Sequence, residues 1–114
     1  MKLLSGILLF IFMHIAVWWS TNAQFIEGVS RAKALVLSVA LALPITLLAF
    51  NASRLVYESL EDSAWSARFV GFGVSYLVFP ILTWAFLGES MFTAKTLFCI
   101  ALSCVILCIQ VFWT

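Results

Sequence analysis

The sequence predicts an all-α fold: an integral membrane bundle of four transmembrane helices forming one domain, 1–114. Three observations carry this reading. Four segments, 3–26, 34–53, 69–88 and 96–114, contain no Asp, Glu, Lys or Arg. The shortest has 19 residues, which at the α-helical rise spans roughly 29 Å, about one hydrocarbon thickness. All formally charged side chains lie at Lys2 or in the three short gaps between these segments. At 65% hydrophobic and 10% charged, the chain is also far more apolar than soluble domains, where about a quarter of residues are charged. Lipid offers the backbone no hydrogen-bonding partners, so the crossings must be helical, and the segments do not alternate as barrel strands do.

The first helix is expected over residues 2–23. It carries a basic residue, an apolar stretch and small residues at Thr21 and Ala23, features shared with a signal peptide. Trp18 and Trp19 occupy the place where small residues would be needed, and Trp pairs suit the level where a helix meets headgroups. The expectation is a retained helix. Gly28 in the connector 24–33 is a natural helix stop.

The second helix is expected over residues 34–56 and contains Pro44, which removes one backbone hydrogen bond. The connector 57–64 holds Glu58, Glu61, Asp62 and Ser63, acidic and capping residues suited to the start of a third helix over 65–87. In that helix Gly71, Gly73 and Ser75 form a small-residue run that lets another backbone approach, and Pro80 follows. Gly88, Glu89 and Ser90 make a tight turn into a fourth helix over 93–113. Connectors this short require up-down-up-down topology.

Polar groups inside a membrane are costly and therefore candidates for function. His14, Trp18 and Asn22 recur at i, i+4 and i+8 and share one stripe. They offer a titratable group, an aromatic surface and an amide to a small polar or cationic solute. The alternative is that His14 bonds a neighbouring helix while Trp18 and Asn22 sit at the interface. His14, with an ordinary pKa of about 6.5, is the one group in these segments that titrates near physiological pH. Tyr76 shares a face with Pro80 and Thr83 and either borders a cavity or packs between helices. Arg68 and Arg54 are expected to reach the headgroups.

Cys99, Cys104 and Cys108 all fall in the last segment, with the lone His14 on another helix. They read as small hydrophobes, and neither a metal site nor another cofactor is expected. No nucleophile–base set or phosphate loop is present, so no enzyme is expected. A net charge of +1 excludes a polybasic nucleic-acid surface.

The stretch 71–89, with Gly71-Phe-Gly-Val-Ser75, then Leu-Thr-Trp84-Ala-Phe-Leu-Gly88-Glu89, followed by an apolar helix over 95–112, resembles the small multidrug resistance family of the drug/metabolite transporter superfamily. Glu27-Gly28 in the first connector fits the same pattern. The proton-coupled exporters of that family carry a glutamate midway along helix one; Ala16 stands near that position here, and His14 is the closest ionisable residue. Where they place a substrate-contacting aromatic, this chain has Gly71. The resemblance implies a small-solute transporter in a bacterial-type inner membrane, surrounded by lipid and working as a homodimer with its site between protomers. His14, Trp18, Asn22 and Tyr76 would line that site.

Basic residues are balanced, with Lys2, Arg54 and Arg68 on one side and Arg31, Lys33 and Lys95 on the other. Without a bias in Lys and Arg the chain is expected to insert in both orientations, which is how the family it resembles builds antiparallel dimers; a parallel homodimer is the competing reading. The second functional reading is a non-transporting membrane subunit, or a lipid-linked flippase subunit, binding its partner through the Gly71/Gly73 face.

Overall fold

The computed structural model describes residues 1–113, and Thr114, where the fourth charge-free segment ends, lies outside them. Four helices follow in order: α1 (Lys2–Asn22), α2 (Arg31–Ser59), α3 (Ala64–Leu87) and α4 (Ala94–Phe112). Each is long and apolar enough to cross a membrane.

Helix α2 is longer at both ends than its apolar stretch. Ser30 in extended conformation caps it, accepting from the Lys33 backbone N–H at 3.2 Å, so the helix begins in the charged connector. Ser63 and Thr93 cap α3 and α4 in the same way, accepting from the N–H groups of Ser66 and Thr96. A single 3-10 turn, Ala23–Phe25, closes α1. Gly88 ends α3 in the left-handed conformation at φ 72°, where glycine bears no Cβ penalty. The α2–α3 turn has no glycine, and Glu61 and Asp62 both adopt positive φ, 58° and 53°.

Cross-helix contacts fix the topology. Lys2 pairs with Glu58 at 2.9 Å and the Ser20 and Ser38 hydroxyls meet at 2.9 Å, so α1 and α2 run antiparallel. His14 meets Gly71 and Trp18 meets Thr83, so α3 runs parallel to α1. Gly73 lies against Leu107, with Thr83 and Thr96 flanking one cleft, so α4 turns back along α3.

The buried core is made by α1, α2 and α3, from Phe10, Met13, Ala52, Val56, Ala67, Val70 and Val74. Gly6 gives the closest approach: a Cβ there would lie 2.6 Å from Val56 Cγ2 and 3.3 Å from the Ala52 carbonyl oxygen. Helix α4 stands outside this core, with α3 as its one substantial neighbour. The molecule is accordingly flat, 48 × 35 × 19 Å. Its outer faces are apolar, with Leu35, Val36, Val39, Leu43 and Phe50 exposed on α2 and Phe98, Leu102 and Val105 on α4.

Candidate functional site

Between α3 and α4, beside their connector, lies an open cleft of about 590 Å³. Tyr76, Phe79, Pro80 and Ile100 supply an apolar wall; Thr83, Thr93 and Thr96 add hydroxyls; Glu89 and Lys95 stand at the connector end. Glu89 and Lys95 form no ion pair among the described residues, where both salt bridges belong to Glu58. Pro80 has no N–H, so the helical bond that would otherwise tie up the Tyr76 carbonyl is missing in the stretch that borders the cleft. The cleft thus combines an aromatic ring, hydroxyls and one charge of each sign.

Tyr76 is 55% exposed and forms part of this wall. Trp18 does not reach the cleft. It is 1% exposed, donates through its indole N–H to the Thr83 hydroxyl at 3.0 Å, and packs edge-on against Trp19 and tilted against Phe86. Thr83 is buried between the two, accepting from Trp18 on one side and bordering the cleft on the other. Trp18 therefore backs the cleft wall without touching its interior.

Asn22 is buried and its amide donates to the Trp18 carbonyl at 3.1 Å and to the Thr21 hydroxyl at 2.9 Å, so its donors are spent within α1. His14 donates through Nε2 to the Gly71 carbonyl oxygen at 2.8 Å and stacks on Phe10. It borders a separate, smaller cavity of about 190 Å³ where α1, α2 and α3 meet. His14 and Trp18 bond to α3 whereas Asn22 bonds within α1, and only Tyr76 of the four candidates opens on the large cleft.

The small-residue run serves two contacts. A Cβ on Gly71 would lie 3.1 Å from Phe10 Cε1 of α1, and one on Gly73 would lie 2.9 Å from Leu107 Cγ of α4. Ser75 is half-buried. Both glycines thus face helices of the same chain.

Sequence periodicity placed Thr83 beside Tyr76 but gave no sign of its bond to Trp18, because pairing between helices leaves no trace in spacing along one. The α4 residues Thr93, Lys95 and Thr96 were legible only as a helix start. Arg68 does not extend to the α2–α3 turn: its guanidinium lies 4.8 Å over the Phe72 ring, one helical turn further along α3.

No protein-family model, curated protein or solved structure matches this chain.

Proposed function

We propose that this chain is a small-solute membrane transporter of the drug/metabolite transporter type, acting as a dimer, with the α3–α4 cleft as its solute site. One observation carries the reading: a cleft of about 590 Å³ that is apolar inside and polar at the connector end, on the side of α3 that the core leaves uncovered. Its volume falls in the range of roughly 300–1,000 Å³ usual for small-molecule sites. The Tyr76 ring and the Glu89 carboxylate suit a cationic group, which gains from an aromatic face and an opposite charge. Four helices with α4 on the flank enclose no path of their own, and a second protomer seated against α4 would close the open side. The balanced basic residues favour antiparallel pairing in a bacterial-type inner membrane.

The partner-subunit reading through the Gly71/Gly73 face has less support, because Phe10 and Leu107 of the same chain already cover those glycines.

The test is uptake into proteoliposomes holding the purified chain, using a panel of radiolabelled amines and zwitterionic metabolites. Uptake of at least one compound, lost in Tyr76→Ala and Glu89→Gln but kept in Phe25→Ala, supports the proposal. Absence of uptake across the panel, or uptake indifferent to Tyr76 and Glu89, overturns it.

A further inference from the structure

The smaller cavity lies away from the α3–α4 cleft, towards the end of the molecule that carries Lys2 and the α2–α3 turn. It is bordered by Phe10, Met13, His14, Ser53, Arg68 and Gly71 among others, with a volume of about 190 Å³. Arg68 is its one cationic side chain. Four residues into α3, it starts about 6 Å from the helix end, and its guanidinium then runs further inward to rest on Phe72. Arg68 is exposed, and a guanidinium leaning towards a charge-free segment gains from a counter-anion, since even the mild insertion scale sets a central Arg at about 2.5–3.5 kcal/mol.

No carboxylate pairs with Arg68 among the described residues. Glu58 is committed to Lys2 at 2.9 Å and to Arg54 at 3.0 Å. Glu61 and Asp62 sit in the turn, and neither forms an ion pair among the described residues. Arg68 itself makes no hydrogen bond or salt bridge there, and its one specific contact is the Phe72 ring. That contact uses the ring face and leaves the guanidinium donors free. Ser53, across the cavity on α2, is exposed and has no side-chain hydrogen-bond partner among the described residues, unlike Thr46 and Ser59 of the same helix, which bond back to Ala42 and Leu55. His14 has its Nε2–H spent on Gly71 and closes the inner part.

We propose that this cavity binds a phosphate-type oxyanion, with Arg68 as the two-pronged donor and Ser53 as a hydroxyl donor from the facing helix. A planar fork matches the spacing of two phosphoryl oxygens, and a cavity of 190 Å³ admits a tetrahedral group but not a bulky solute. The oxyanion can come from a lipid headgroup arriving sideways or from inorganic phosphate arriving from water. The site is independent of transport through the α3–α4 cleft.

The experiment uses the purified full chain in nonionic detergent, titrated with short-chain phosphatidylglycerol, with diacylglycerol of the same chains and with inorganic phosphate. Binding is read from the thermal unfolding midpoint. Phosphatidylglycerol should raise the midpoint and diacylglycerol should not. Arg68→Gln should weaken the affinity about 10- to 100-fold, as loss of a charge-assisted pair implies. Ser53→Ala should weaken it less, and Arg31→Gln at the opposite end should leave it unchanged. An Arg68-dependent shift with inorganic phosphate alone upholds the site and names water as the source. Equal binding by wild type and Arg68→Gln, or no preference of either phosphatidylglycerol or inorganic phosphate over diacylglycerol, overturns it. Should Arg68→Gln fail to fold, Arg68→Lys keeps the charge without the fork, and unchanged affinity in that variant overturns the proposal equally.

Discussion

The Trp18 indole N–H reaches across from α1 to the Thr83 hydroxyl of α3 at 3.0 Å, and both side chains are buried. This bond joins the core helices to the wall of the α3–α4 cleft. Trp18→Phe keeps most of the ring and removes the donor, and Thr83→Val keeps the shape and removes the acceptor. Each should destabilise the chain by about 0.5–1.5 kcal/mol, with a coupling near 0.6 kcal/mol as is typical between membrane helices. A double-mutant cycle on unfolding in mixed micelles measures it; additive losses would mean the bond contributes nothing.

At Gly6 a methyl group would meet Val56 Cγ2 at 2.6 Å, with backbone atoms of Val56 and Ala52 close behind at 3.2 and 3.3 Å. Gly6→Ala should therefore push α1 off α2, at a cost of about 1–3 kcal/mol, the usual range for overpacking. Adding Val56→Ala removes the nearest atom but not the backbone, so it should restore part of the loss. Melting temperatures of the three variants decide the point, and an unshifted Gly6→Ala would show that the helices separate freely.

Left-handed backbone at Glu61 and Asp62 costs each residue roughly 1–2 kcal/mol. Glycine removes that strain but gives up roughly 0.5–1 kcal/mol of unfolded-chain entropy. Glu61→Gly should thus stabilise by about 0.5–1 kcal/mol, read as a raised unfolding midpoint. A lowered midpoint would mean the carboxylate makes up for its backbone.

Cys99 borders the cleft, whereas Cys104 and Cys108 lie exposed on α4 outside it. A membrane-impermeant thiol reagent applied to proteoliposomes should modify Cys99 ahead of the other two, and a solute held in the cleft should slow that reaction. Mass spectrometry of single-cysteine variants gives the three rates. Equal rates would show that water does not enter between α3 and α4.

The helices could be read from the charge-free segments, and their number and order follow directly. Where the ends differ, local chemistry explains it: Arg31 and Lys33 belong to α2 because Ser30 caps it, although both lie outside the apolar stretch. Gly88, at positive φ, acts as the stop that its residue type announces, whereas Gly28, also at positive φ, lies in the connector beyond the 3-10 turn that ends the first helix. Gly6 carried no such signal, since a single glycine within an apolar segment looks the same whether it faces Val56 or lipid. The sequence placed Tyr76 on one face with Pro80 and Thr83 and left cavity and helix packing equally open for it, while the role of Trp18 as a backing residue required the neighbouring helix. The position of α4 was not legible at all. Four segments with short connectors fit a closed bundle and a flank helix equally well, and the choice rests on packing between surfaces of similar apolarity.

Synthesis runs from α1 to α4, and the attachment of α4 to α3 alone gives that order a meaning. The residues that meet α1 from the later helices, Val56, Gly71 and Thr83, are all made before any of α4. Gly73 precedes Leu107 by 34 residues, roughly 2–7 s of translation at about 5–20 residues per second. Gly73 therefore emerges ahead of Leu107, and until Leu107 follows, its bare backbone is open to any helix already nearby. A nascent neighbour has its chance to dock there before the chain's own last helix arrives.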